Sequence, residues 1–571
     1  MTLMKKTVLG IWLFASSQSI CFGAGDYANV TEARLMQPED ENWLMYRRTY
    51  DGWGYSPLTQ IDHTNVDKLV PVWSYSTGVE EGHQAPPIVN NGVMFITTPE
   101  NQILALDARK GDLIWRYRRD LPDDLLQLHP TNRGVALYED KVYLATVDAM
   151  LVALDATTGK VIWEREVEDY LSGYYMTMAP LIAKGKVMVG VSGGEMGIRG
   201  FVAAFDAMNG KPAWKTYTIP APGEPGNETW PGDTWKHGGA PVWLTGTYDT
   251  ETGIAYWGTG NAGPWVGATR VGDNLYATSV IALDVTTGKL EAHHQYHWND
   301  SWDWDEVSPP LLIDVERDGK TIKALVHAGR NGYLWLLDRA ARAIRFVDAQ
   351  PFVRQNVFAS IDPKTGRPTY DKEKVPVLGK LVDFCPSLWG GKTWPPSAYN
   401  PNTGLLYIPA NENLCSRYTA SPVQYRPGEL YMGMGLLDIE VYPHKNSDHV
   451  GELQAWDLAT GERKWTAKFP QQLWGPVLTT AGELVFAGGT NDRYFRAFDA
   501  NSGEILWKQR TNSGITGVPT SFAVDGVQYI AVQSGWGVDG ARGQAMLNDS
   551  MGTDIHVPQG GVLWVFALPE N

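Results

Sequence analysis

The sequence predicts an all-β fold, an eight-bladed β-propeller with tryptophan-docking repeats and long inter-strand loops. Three observations predict it. First, a triplet ending in Asp recurs with Gly four residues on and Trp eight residues on. The copies are Asp107, Gly111, Trp115; Asp155, Gly159, Trp163; Asp206, Gly210, Trp214; Asp457, Gly461, Trp465; and Asp499, Gly503, Trp507. Second, 60 Gly and 35 Pro supply many turns, and 24 Trp are too many for a chain without a repeated use for them. Third, the chain ends carry complementary halves of one unit, with 562–568 as the first half and 65–73 as the second.

In chain order the N-terminus comes first. Lys5 and Lys6 precede an apolar run from Thr7 to Ala15, then small and polar residues up to Gly25. Residues 1–24 therefore read as a secretory signal peptide, too short in its apolar core to span a bilayer, and the chain is expected in the periplasm. Cys21 leaves with that segment. Residues 25–571 read as a single domain, although length alone suggests three or four. In each repeat an apolar strand ends at Asp, whose side chain caps a tight turn closed by a left-handed Gly. A second strand then carries Trp back. Such a unit cannot bury its own face, so neighbours must stack. Asp284 with Gly288 keeps the turn but has Ala292 in place of Trp, while Asp338 with Phe346 and Asn400 with Gly404 are weaker copies. Eight units take roughly 68 residues each, where a bare blade needs about 40–50. The surplus is expected in long loops at 346–397, 417–450 and 536–560.

Charge and cysteines narrow the function classes. Asp and Glu number 64 against 48 Lys and Arg, a formal net charge of −16. That excludes non-specific nucleic-acid binding and favours a basic partner. No segment approaches 18 consecutive apolar residues, so no membrane span is expected. Cys385 and Cys415 are the two cysteines left after export, and an oxidising compartment is expected to bridge them. None of this distinguishes an enzyme from an exported scaffold that binds partner peptides.

The chemistry concentrates in a few segments. In Trp302-Asp303-Trp304-Asp305 the two carboxylates share one face of an extended chain and repel unless a cation or proton separates them. A solvated strand or turn is the plain alternative. Ser192-Gly193-Gly194-Glu195 offers a carboxylate on a glycine-rich turn, and Gly258-Thr259-Gly260-Asn261 offers an amide oxygen on another. These hard oxygen donors suit a calcium-like ion and not zinc. His293, His294 and His297 have no metal-ligand spacing and read as structural.

These segments, the repeat and the signal peptide together resemble the pyrroloquinoline-quinone-dependent alcohol dehydrogenases, the methanol and ethanol dehydrogenase family. The likeness runs from Glu41-Asn42-Trp43 to Leu563-Trp564-Val565-Phe566-Ala567-Leu568. It implies pyrroloquinoline quinone and one metal ion near the propeller axis. By local motif it implies Glu195, Asn261 and Asp303 as metal ligands, with Asp303 also the catalytic base. Trp243 would form the floor under the quinone. Arg133, Thr177, Ser192, Gly193 and Gly194 would bond its carboxylates and carbonyls, and Arg330 would approach the quinone oxygens. Asn411 and Trp474 look like further contacts. Residue types agree, since a flat tricarboxylate wants Trp, Arg and hydroxyl donors. The resemblance also implies the Cys385–Cys415 disulfide.

Three departures stand out. The family's two adjacent cysteines, a ring over the quinone, are replaced by Gln127 and Leu128. A family glutamate near the cofactor is Gln84 here. No Cys-x-x-Cys-His occurs, so the electrons are expected to go to a separate soluble c-type cytochrome. Asp305 points to the metal. Calcium-using relatives carry a small or neutral residue there and lanthanide-using ones a second aspartate, so a lanthanide is expected, with Asp305 a ligand beside Glu195, Asn261 and Asp303, and Ca2+ is the alternative. The implied reaction is oxidation of an alcohol, primary or secondary and with room for bulk, to an aldehyde or ketone. A sugar or polyol dehydrogenase and a non-catalytic periplasmic propeller are the rivals. A homodimer is compatible with the resemblance; the residues do not specify an assembly.

Overall fold

In the computed structural model, which describes residues 27–435 and 438–569, nearly all regular structure is strand. The expected signal peptide at 1–24, with Cys21, lies outside the described residues. Four-stranded antiparallel sheets follow one another along the chain, at 88–118, 136–166, 181–217, 247–295 and 311–351. Another takes its strands from 398–411 and 451–469, so that 414–450 is an insertion between its second and third strands. The sheet at 477–510 gains Tyr55–Ser56 as a parallel edge strand. The last sheet closes the chain on itself. Val70–Ser76 pairs antiparallel with Val562–Ala567, putting Trp73 opposite Val565, and Thr520–Val524 and Val527–Ser534 complete it.

The repeat has a physical purpose that the pattern alone leaves open. Asp155 Oδ1 accepts from the backbone N–H of Thr157 (3.1 Å) and Thr158 (2.8 Å), and Gly159 closes the turn at φ +69°. The Trp of one sheet then lies flat on the turn Gly of the next. A Cβ on Gly159 would stand 2.5 Å from Trp115, one on Gly210 2.7 Å from Trp163, and one on Gly503 2.5 Å from Trp465. The same indoles donate to the carbonyl that follows the turn Asp: Trp115 to Ala156 (2.9 Å), Trp163 to Ala207 (3.3 Å) and Trp465 to Ala500 (3.0 Å). Each repeat thus ties its sheet to its neighbour by a buried ring and one hydrogen bond. Trp73, in the sheet that joins the two chain ends, lays its ring on Gly111 likewise, but without the indole hydrogen bond.

The expected long loops carry structure of their own. Residues 358–370 form a hairpin, and Leu381–Phe384 joins Leu414–Thr419 and Glu440–Pro443 in a three-stranded sheet. Cys385 and Cys415 are disulfide-bonded, which ties the insertion to the chain leading into it. Gly537–Met551 is a helix. Among the described residues no helix is long and apolar enough to cross a membrane.

Candidate active site

Antiparallel pairing dictates where the site lies. The start of a sheet's first strand and the end of its second are at the same edge of that sheet. Arg133, Thr177, Trp243, Trp394, Trp474 and Thr516 each precede a first strand, while Ser192, Arg330 and Trp536 each follow a second. All of them line one cavity of about 210 Å³. Glu195, Gln84, Gly193, Asp303 and Asp305 line it as well.

One side of the cavity is a flat aromatic and cationic wall. The Arg133 guanidinium lies 4.8 Å from the Trp243 ring and 5.1 Å from Trp394. Its Nη1 donates to Thr177 Oγ1 at 2.5 Å, and Thr177 lies 3.3 Å from Ser192 Oγ. Burial pulls the Arg133 pKa down to about 10, which still leaves it charged at neutral pH. Elsewhere in the lining Trp389 meets Trp474 edge-on at 5.0 Å, and Trp536 follows at 6.2 Å. Arg133 Nε, Gln84 Oε1, and the indole N–H groups of Trp474 and Trp536 are buried with no hydrogen-bond partner. Buried polar groups ordinarily find partners. A flat ligand with carbonyl and carboxylate oxygens would supply acceptors for Arg133, Trp474 and Trp536, whereas Gln84 Oε1 needs an N–H or O–H donor.

Part of the lining is acidic. Trp302 and Trp304 are fully buried and stacked at 5.0 Å, while Asp303 and Asp305 turn into the cavity. The alternation is as expected, but the segment is not a strand, since Asp303 sits at φ +62°. Arg330 lies beside both carboxylates, 3.6 Å from Asp303 Oδ2 and 3.4 Å from Asp305 Oδ2, and its Nη1 donates to the Asp303 carbonyl at 2.6 Å. Burial drives the Asp303 carboxyl well above the ordinary range, Asp305 adds to this, and Arg330 opposes it. Asp305 is pushed up to about 6 by burial, again against Arg330. One guanidinium does not neutralise this cluster, and a cation would.

Asn261 is wholly buried behind the lining. Its backbone N–H donates to Asp305 Oδ1 at 2.6 Å. Its side-chain nitrogen donates to that same oxygen at 3.2 Å, and its side-chain oxygen accepts from the Trp265 indole N–H at 2.7 Å. Among the described residues no three His, Cys, Asp or Glu groups converge closely enough to hold an ion alone. Glu195, Asp303 and Asp305 could hold a cation only with added oxygens, from a bound ligand or from Asn261 with its amide turned away from Trp265. Asp303 Oδ1, buried and unpartnered, is the free acceptor of the set. The donors present fit a hard cation seated against a quinone.

Gly194 and Asn411 also stand behind the wall. The space beside Gly194 is filled by Asn261 Oδ1 and Pro241, so a Cβ there would fall 2.8 Å from the amide. Asn411 accepts from the Leu473 N–H (3.0 Å) and so braces Trp474 from behind. His297 is buried against Asp300 and Glu306, in keeping with a structural part. Residue reading missed Trp389, Trp394, Trp536, His129, Asp539 and Arg542, all in the lining. One signal was available for the tryptophans: Trp389 and Trp536 sit beside glycines and outside the repeat spacing.

Comparison with known proteins follows the same lines. A family profile described as the PQQ glucose/ethanol/alcohol dehydrogenase β-propeller domain matches residues 43–342 and 467–530. Quinoprotein alcohol dehydrogenase PedH of Pseudomonas putida is 37% identical, over 99% of this chain and 98% of its own. The lanthanide-dependent methanol dehydrogenase of Methylacidiphilum fumariolicum is 35% identical, over 94% of this chain and 91% of its own. Among solved structures, a europium-containing methanol dehydrogenase superposes with a TM-score of 0.88 at 34% identity, covering 94% of this chain and 100% of that one.

Proposed function

This chain belongs to the quinoprotein alcohol dehydrogenase family, and from that premise we propose that it oxidises an alcohol to an aldehyde or ketone in the cavity between Trp243 and Asp303. The observation that carries the reading is the meeting of Arg133, Trp243, Arg330, Asp303, Asp305 and Glu195 around one cavity of ligand size. Bound pyrroloquinoline quinone supplies the two-electron acceptor, and the metal ion supplies Lewis acidity.

The residues divide the remaining work. Trp243 gives the ring a floor, and Arg133, Thr177, Ser192 and Gln84 take its polar edge. Glu195, Asn261, Asp303 and Asp305 hold the cation. Asp303 accepts the substrate hydroxyl proton at Oδ1, the atom that no other group occupies. Arg330 fixes the Asp303 backbone and places positive charge beside both aspartates. Trp265, Leu388, Met432 and Ile439 line the cavity and exclude water from it.

Three finer points belong to the proposal. The metal is a lanthanide, supported by the third carboxylate, Asp305, and by the lanthanide-type relatives. Electrons leave to a separate c-type cytochrome, supported by the absence of Cys-x-x-Cys-His from the 571 residues. The protein works in the periplasm, supported by the N-terminal pattern and the disulfide. Purified protein loaded with pyrroloquinoline quinone and lanthanum is expected to show the cofactor's absorbance and to reduce an artificial dye on adding an alcohol. Protein that takes up no quinone, or takes it up and oxidises no alcohol, overturns the reading.

A further inference from the structure

Where the family resemblance implies two adjacent cysteines, this chain has Gln127 and Leu128. Leu128 and His129 reach the cavity from 119–135, a stretch without a strand between Arg118 and Ala136. Facing them is the helix Gly537–Met551, whose residues 539, 540, 543 and 546 form one cavity-facing side. This helix sits hard against the tryptophan wall. A Cβ on Gly543 would stand 2.2 Å from Trp474, and one on Gly540 2.7 Å from Trp536. The helix is held by these contacts, whereas residues 119–135 belong to no sheet.

Two contacts join them. His129 Nδ1 lies 2.9 Å from Asp539 Oδ1, and Arg542 Nη1 donates to the Leu128 carbonyl at 3.2 Å. Arg542 also stands 3.6 Å from Asp539, so the three side chains form one cluster. Among the described residues these are the hydrogen bonds made by residues 126–130. The groups are partly exposed, with side-chain accessibilities of 40% for His129 and 31% for Asp539. Pairs of that kind contribute little to global stability. Their position over the cavity points to a local role.

We propose that His129, Asp539 and Arg542 form a non-covalent latch that closes residues 126–130 over the bound quinone and slows its release. The proposal rests on the reading of this cavity as the quinone site. His129, Asp539 and Arg542 are positioning residues here, acting through the loop they hold. Burial alone would lower the His129 pKa, but the Asp539 carboxylate raises it overall, and His129 in turn lowers Asp539. The pair is thereby biased toward its charged, closed form.

The test measures release of pyrroloquinoline quinone from the lanthanum-loaded holoprotein. Holoprotein is passed into quinone-free buffer, and the quinone remaining on the protein is followed by absorbance over time. Asp539→Asn combined with Arg542→Gln is expected to speed release about tenfold, the scale of losing two charge-assisted contacts. His129→Gln keeps a donor for Asp539 and is expected to fall between wild type and the double variant. The thermal midpoint of each variant without cofactor should stay near that of wild type, which separates a latch from a folding defect. Release from the double variant within twofold of wild type overturns the latch while leaving the quinone site standing. Wild-type protein that binds no quinone overturns both.

Discussion

Gly260→Ala probes the cation site without removing any of its ligands. Gly260 has no left-handed φ, so its backbone accepts alanine. The obstacle is steric. The new methyl would lie 2.3 Å from Asp305 Oδ1 and 2.8 Å from Pro241 Cγ. Proline is held by its ring, so the carboxylate must withdraw, and it must leave the Asn261 N–H that it accepts from at 2.6 Å. A hydrogen bond to a charged group contributes about 1.5–3 kcal/mol. At about 1.4 kcal/mol per decade, cation affinity should fall about 10- to 150-fold. Residual overpacking should cost about 1–3 kcal/mol of stability. Terbium titration of quinone-loaded protein is a direct assay, because Trp265 next to Asn261 can sensitise the ion's emission. Terbium affinity within threefold of wild type, in folded Gly260→Ala protein, would refute the placement of Asp305 in the ion's shell.

Further outcomes follow from the same geometry. Asp303→Asn should keep quinone and metal while turnover falls by about 10²-fold or more, as for loss of a general base; single-turnover quinone reduction monitored by absorbance checks it. Metal-free wild type should be reactivated by lanthanum or cerium and poorly by calcium, and Asp305→Ala should lose the lanthanide response; equal calcium activity in both proteins would return Asp305 to a turn-capping part. Replacing Cys385 and Cys415 by Ser opens a loop with a sequence separation of 30 and should cost about 3–4 kcal/mol in the chain-entropy model, read from denaturant midpoints without reductant. Gly503→Ala places a methyl 2.5 Å from Trp465 at φ +76° and should destabilise by about 2–5 kcal/mol from combined strain and overpacking, measured by calorimetry.

Much of the fold was legible because its determinants are local. An Asp that caps a turn, a Gly that closes it and a Trp at fixed distance are read from nine consecutive residues. The pairing of Val70–Ser76 with Val562–Ala567 was likewise readable, since both halves keep their motif although nearly 500 residues lie between them. The pattern did not show where the indole goes. Only the packed structure places Trp115 on Gly159 and Trp465 on Gly503 in the neighbouring sheet. The site divides in the same way. Asp303 and Asp305 announce themselves, because two carboxylates at i and i+2 between tryptophans ask for a counter-charge wherever they lie. Trp389, Trp394 and Trp536, and the His129–Asp539 pair separated by 410 residues, carry no such local mark. They come together in one lining only when antiparallel sheets bring the same edge of each unit to one cavity. The sequence by itself determined the turn chemistry, the repeat and the acidic donors, since each is set by neighbours a few residues away. Tertiary structure alone decided which aromatic rings line the cavity and that His129 meets Asp539, because those contacts join segments whose separation in the chain says nothing about their distance in space.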